Sequence, residues 1–276
     1  MVFKILISCL TCLFFAQVAY ADIYEDIRKG DVKKVEEFFQ GNKDHNYVVN
    51  SKDDNDQSFL CEALQSGKLD VVTFLFQYDV DVNADCRAEP VASTPLMEAI
   101  QNHYYDIAKR LINRGANLQE EDFSALALAI DASKGNLEFV NYLLNLKNFY
   151  VDVNSEMSYG DGFAISPIRA AMYIGDYELF TRLLKRGAEL DKEIAFDDLE
   201  GNSVNKQVIL SALKGGNKKI LDYILTHGFK LDNDTVKFLD EHVKKLPQAS
   251  LDYLKVKNVV LKNVNPKGKD DKDNAD

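Results

Sequence analysis

One two-helix pattern returns six times along this chain and constrains its fold more than any other feature. Around Gly67 the sequence reads SFLCEALQSGKLDVVTFLFQYDVDVN, and around Gly175 it reads SPIRAAMYIGDYELFTRLLKRGAEL. Small apolar residues (Ala63-Leu64, Ala170-Ala171) sit three to five positions before the Gly, and an apolar helical stripe follows it. The Gly place falls at Gly30, Gly67, His103, Gly135, Gly175 and Gly216, at intervals of 37, 36, 32, 40 and 41 residues. Twelve residues past His103, Gly175 and Gly216 stand Gly115, Gly187 and Gly228.

Extra residues fall between copies, while the spacing inside a copy barely changes apart from an insertion at Asp131 to Lys134. A single helix pair cannot bury its apolar face, so neighbours must stack and helix lengths become fixed. Loops between pairs lengthen at little entropic cost. The register resembles the ankyrin repeat, whose unit is roughly 33 residues. Ser93-Thr94-Pro95-Leu96 and Ser166-Pro167-Ile168 resemble that family's helix opening, in which Ser or Thr caps the helix and Pro suits its first turn. Met97 and Arg169 replace the usual His of the opening. The resemblance implies an all-α ankyrin-repeat solenoid of about six helix-turn-helix repeats with hairpin loops. After Asp232 the pattern decays into one more degenerate helix pair, Thr235 to Leu246 and Gln248 to Leu254, broken at Leu246-Pro247 and closing the C-terminal end.

Three domains are expected: a signal peptide over 1–21, the repeat domain over 22–262, and a disordered charged tail over 263–276. Lys4 supplies a positive start, Ile5 to Val18 an apolar stretch, and Ala19-Tyr20-Ala21 a cleavage site before Asp22. No other stretch is apolar enough for a membrane span, so no stable span is expected after cleavage. The expected location is the periplasm, or outside the cell. Cleavage would leave Cys61 and Cys86. An exported chain could oxidise them to a disulfide, but a repeat stack does not require a bridge, and two free thiols are the expectation.

No catalytic constellation stands out, and the chain reads as a non-enzyme without cofactor or metal. His45, His103, His227 and His242 fall in separate units without ligand spacing. Asp79-x-Asp81-x-Asn83-x-Asp85 opens like a calcium loop, but Ala84 and Pro90 stand where Gly and Glu are needed. Gly215-Gly216-Asn217-Lys218-Lys219 lacks the spacing of a phosphate loop. A net charge of −11 disfavours nucleic acid and suits a partner protein with a basic surface. Ankyrin-like stacks present their hairpin tips and first helices to partners. The long hairpins here are Asn42 to Asp56, Asp85 to Ala92, Asn154 to Ser166 and Asp191 to Lys206. Aromatics amid carboxylates nominate Tyr159, Asp161, Phe163, Phe196, Asp197, Asp198 and Glu200, together with Tyr104 and Tyr105, as partner-binding residues. Exported relatives of this kind include immunity proteins that neutralise secreted antibacterial toxins, and that role is the leading expectation. A periplasmic peroxide-defence factor, which would bind an envelope protein, and a secreted effector that binds a host protein are the alternatives.

Overall fold

The computed structural model describes residues 23–42, 44–53, 55–86, 93–120, 123–133, 136–147, 151–158, 164–190, 204–242, 245–263 and 265–266. The expected signal peptide and Gly135 lie outside them. The first helix pair is residues 23–29 (α1) with Val32–Gln40 (α2), followed by a short extra helix, His45–Val49 (α3). Next come Phe59–Gln65 (α4) with Leu69–Leu75 (α5), and Pro95–Gln101 (α6) with Tyr105–Asn113 (α7). Ala125–Ala132 (α8) pairs with Glu138–Leu144 (α9), Pro167–Ile174 (α10) with Tyr177–Lys185 (α11), and Val204–Gly215 (α12) with Lys218–Thr226 (α13). Asn233–His242 (α14) and Gln248–Val256 (α15) form the expected closing pair. The chain divides into two compact units, Met1–Asn117 and Leu118–Asp276.

Helices this short are marginal alone and depend on packing. The second helix of each pair is one-sided: α7 buries Ile107, Ala108, Leu111 and Ile112. First helices are enclosed, so α8 buries every residue from Ala125 to Ile130, and its alanines allow close approach. Ser58, Thr94 and Ser124 each accept a backbone N–H at the start of α4, α6 and α8. Ser166 holds the same place before α10, yet its side chain makes no capping bond.

The register prediction is tested at His103. Its φ is 60°, matching Gly67 at 70° and Gly175 at 75°, so a histidine does adopt the left-handed turn of the Gly place. That conformation costs a residue with a Cβ about 1–2 kcal/mol. Between α10 and α12 the glycines have a further purpose. A Cβ on Gly175 would stand 2.4 Å from the carbonyl oxygen of Gly215, and one on Gly215 would stand 1.9 Å from that of Met172. The Gly215-Gly216 pair therefore serves close packing and a turn.

The connections hold two departures from expectation. Part of the Asn42 to Asp56 hairpin is the helix α3, because Asp44 caps it through the Tyr47 N–H and Val48 and Val49 are buried. Cys61 and Cys86 are not free thiols: they form a disulfide. The repeat register brings the arm containing Cys86 back onto the first turn of α4, where both cysteines are fully buried beside Ala84. Closing a loop of this sequence separation, 25 residues, is worth about 3 kcal/mol in chain entropy.

Other connections are short antiparallel pairs, Gln119–Glu120 (β1) with Phe123–Ser124 (β2) and Met157–Ser158 (β3) with Ala164–Ile165 (β4). At the C-terminal end, Lys245–Leu246 (β5) pairs in parallel with Asn265–Pro266 (β6). α15 docks on the sixth pair through Ser250 Oγ, which donates to the Leu213 carbonyl at 2.5 Å, and Tyr253, whose hydroxyl donates to Asp222 at 2.7 Å. Burial, reinforced by that bond, pushes the Tyr253 hydroxyl well above the usual phenol range.

Candidate protein-binding surface

From Asp79 to Cys86 the chain runs as an arm with a turn at Val82 and Asn83, and its burial alternates from residue to residue. Val80, Val82, Ala84 and Cys86 are buried, while Asp79, Asp81, Asn83 and Asp85 are exposed. The arm is gripped from the preceding repeat. Asn46 Oδ1 accepts the Asp79 N–H at 3.2 Å. Asn50 donates to the Asp79 carbonyl at 2.9 Å and accepts the Asp81 N–H at 2.7 Å. Asn83 repeats the grip one unit on, donating to the Gly115 carbonyl at 3.2 Å and accepting the Asn117 N–H at 2.8 Å. An amide side chain suits this work because it offers a donor and an acceptor on one rigid group.

The second unit uses the same device. Asn154 donates to the Gly187 carbonyl at 3.0 Å and accepts the Glu189 N–H at 2.9 Å. Gln119 accepts the Asp152 N–H at 2.9 Å, and Asn205 both donates to the Lys230 carbonyl and accepts the Lys230 N–H. Asp81 and Asp152 each accept the N–H two residues on, at Asn83 and Asn154, which shapes the turn that aims the amide.

In the first unit a polar relay crosses the first helices. Gln57 donates to Gln65 at 2.6 Å, and Gln65 and Ser93 donate to Glu98 Oε1 at 3.1 and 2.8 Å. Glu98 is only 8% exposed, so these bonds replace the water its carboxylate has lost. Arg28 lies 3.5 Å from Glu62, yet burial outweighs that cation and raises the Glu62 carboxyl above its ordinary value. In the second unit Arg169, at the place of the usual His of the opening, makes a bond of its own. Its Nη1 donates to the Ala164 carbonyl at 3.0 Å, at the start of β4. Burial pulls this guanidinium down to about 10, opposed by the charge of Glu156. Met97, at the equivalent place in α6, is simply buried.

Of the sequence-nominated residues, Tyr104 and Tyr105 are described. They stand at the α6–α7 turn, at the other end of that helix pair from the arms. The Tyr104 hydroxyl sits 2.9 Å from where a Cβ on Gly67 would lie, so the ring covers the turn of the preceding repeat. The Tyr105 hydroxyl bonds His103 Nδ1 at 2.9 Å, and burial raises its pKa. Both tyrosines are half-buried and engaged in turn packing. Tyr159, Asp161, Phe163, Phe196, Asp197, Asp198 and Glu200 lie outside the described residues. An aromatic amid carboxylates does occur in the first long hairpin: Tyr47, 74% exposed, stands on α3 between the two asparagines that grip the Asp79 arm. Tyr47 and the gripping asparagines are not among the nominated residues, although Asp81-Val82-Asn83 and Asp152-Val153-Asn154 repeat in register and mark the device.

Among the described residues no three His, Cys, Asp or Glu side chains come together as a metal site. No helix among them is long and apolar enough to cross a membrane.

Residues 60–157 match the family model for ankyrin repeats (three copies). The chain is 25% identical over 183 residues to the ankyrin repeat protein FPV031 of fowlpox virus (strain NVSL), covering 64% of this chain and 50% of that protein. It is 28% identical over 185 residues to the ankyrin repeat and KH domain-containing protein mask-1 of Caenorhabditis elegans, covering 65% of this chain and 6% of that protein. The chain thus spans half or less of the length of these relatives. The crystal structure of the human ASB11 ankyrin repeat domain aligns with a TM-score of 0.49 at 19% identity, over 76% of this chain and 85% of that one. The matched repeats, together with the paired helices, show an ankyrin-repeat fold, with the repeats themselves matched over residues 60–157.

Proposed function

We propose that this chain is a non-enzymatic binding protein, exported to the periplasm, that neutralises a secreted antibacterial toxin by covering a basic surface on it. Ankyrin repeats mediate binding to other proteins, and that much follows from the family. The observation that carries the charge of the partner is the arm at Asp79, Asp81 and Asp85. Asp79 and Asp81 stand on a backbone held by Asn46 and Asn50, Asp85 is exposed further along, and Tyr47, between the two asparagines in sequence, is exposed too. Rigid presentation lowers the entropy lost on binding, and an aromatic within an acidic rim suits a cationic protein surface. The leader-like residues 1–21 and the Cys61–Cys86 disulfide support export, since such bonds persist in oxidising compartments.

The test is capture of a partner by the full chain expressed in the periplasm, with protection of cells that make a co-encoded toxin. Reversing Asp79, Asp81 and Asp85 together to Lys, with Tyr47→Ala, is expected to weaken capture at least about a hundredfold. A variant that still captures and protects like the wild type would remove the arm from the interface. A co-encoded product that is harmless in cells lacking this chain would end the immunity reading.

A further inference from the structure

We propose that the Cys61–Cys86 bond is formed during folding and then sealed, so that the Asp79 arm is held fully only in chains that folded under oxidising conditions. Three observations meet at this bond. First, both cysteines are fully buried, enclosed with Ala84 between the arm and the first turn of α4. A thiolate must approach a disulfide sulfur directly to attack it, and burial withholds that approach until α4 or the arm opens. Second, the bond sits at a structural junction. The Cys61 N–H donates to Ser58 Oγ at 3.2 Å, within the cap of α4, and the Cys86 N–H donates to the Ser93 carbonyl at 2.7 Å, beside the Thr94 cap of α6. One covalent link therefore ties the first helix of one repeat to the entrance of the next. Third, the second unit holds its corresponding stretch, residues 151–158, without cysteine, through Gln119, Asn154 and the β3–β4 pairing. It is a control within the same molecule.

In forming the bond, two thiols lose two protons and two electrons to a disulfide oxidant, which leaves as its dithiol. Reduction is the reverse: a dithiol attacks one sulfur, passes through a mixed disulfide, and leaves oxidised while Cys61 and Cys86 regain their protons. Without the bond, the N-terminal half of the arm keeps its asparagine grip, and the Cys86 half is left with the hydrogen bonds of Asn83 and of the Cys86 N–H.

The experiment uses the full chain purified from an oxidising compartment. Dithiothreitol with pulsed alkylation and mass spectrometry reads the rate of bond opening, with and without denaturant. Hydrogen exchange compares the amides of residues 79–86 and 151–158 in three samples: the oxidised chain, the chain refolded in dithiothreitol, and Cys61→Ala/Cys86→Ala. Expected are reduction at least about a hundredfold slower in native buffer than in denaturant, and exchange over 79–86 at least about tenfold faster without the bond, with 151–158 unchanged. Failure of both bond-free samples to refold, where the oxidised chain refolds, would equally support the proposal. Reduction as fast in native buffer as in denaturant, equal exchange over 79–86 in all samples, or a purified chain with both thiols free would overturn it.

Discussion

Two seams between neighbouring repeats solve one packing problem by opposite means. In the first unit α4 meets α6 through side chains: the Gln65–Glu98 bond, the Tyr104 ring over Gly67, and the disulfide to the arm between them. In the second unit α10 meets α12 through bare backbone, with Gly175 and Gly215 so close that neither admits a Cβ. Asn217 then locks the contact by donating to the Gly175 carbonyl at 2.8 Å. A seam of side chains can yield by changing rotamers, whereas a seam of backbone has nothing to move but the helices. The first unit's seam leaves room for polar groups and for an arm that presents charge. The second unit's seam gives tight register and little else.

The largest expected effect tests the backbone seam. Gly215→Ala places a methyl 1.9 Å from the Met172 carbonyl oxygen and is expected to destabilise the second unit by about 3 kcal/mol or more. Gly115→Ala, with φ of 91° and open space around the new Cβ, carries only the backbone cost of about 1–2 kcal/mol. Chemical denaturation of both variants checks the contrast, and equal losses would show that the helices part cheaply to admit the methyl, against a seam of fixed backbone.

A middle effect is expected at the shared device. Asn154→Ala strips two partners from the backbone at Gly187 and Glu189 and should cost about 1–2 kcal/mol, with faster amide exchange at Glu189. Asn154→Asp keeps the acceptor but loses the donor, so it should fall between the two.

The smallest effect belongs to Glu62, on α4 opposite Arg28 of α1. Folding raises its carboxyl above the ordinary 4.5, so the native state binds this proton more tightly than the unfolded chain does. Its contribution is therefore present at low pH and fades as pH rises through the ordinary value toward the raised one. Glu62→Gln should remove that slope, changing stability at neutral pH by less than about 1 kcal/mol. Melting curves between about pH 4 and 7 read it, and an identical slope in the variant would place the pH dependence elsewhere.

Much of the architecture was legible because it is periodic. The Gly register located the helix pairs and put His103 in the Gly place, where its backbone adopts the left-handed turn. The closing pair was legible too, since Leu246-Pro247 must interrupt a helix. The disulfide was not, because cysteines 25 residues apart meet only once the arm has folded back on α4. Helix α3 was hidden by its length, five residues stabilised by one cap and two buried valines. Aromatics amid acids can be picked out of a sequence, but their places on the stack cannot. Tyr104 and Tyr105 cover turns, while Tyr47 stands beside the Asp79 arm. Sequence adjacency of aromatics does not report which end of a helix pair they occupy.

The most direct measurement is the affinity of the captured partner for the wild-type chain and for the Asp79, Asp81 and Asp85 reversal, at low and high salt. If the gripped arm carries recognition, wild-type binding weakens steeply with salt, and the reversal weakens it at least about a hundredfold at low salt. Equal affinities for the two chains, insensitive to salt, would contradict a role for the arm.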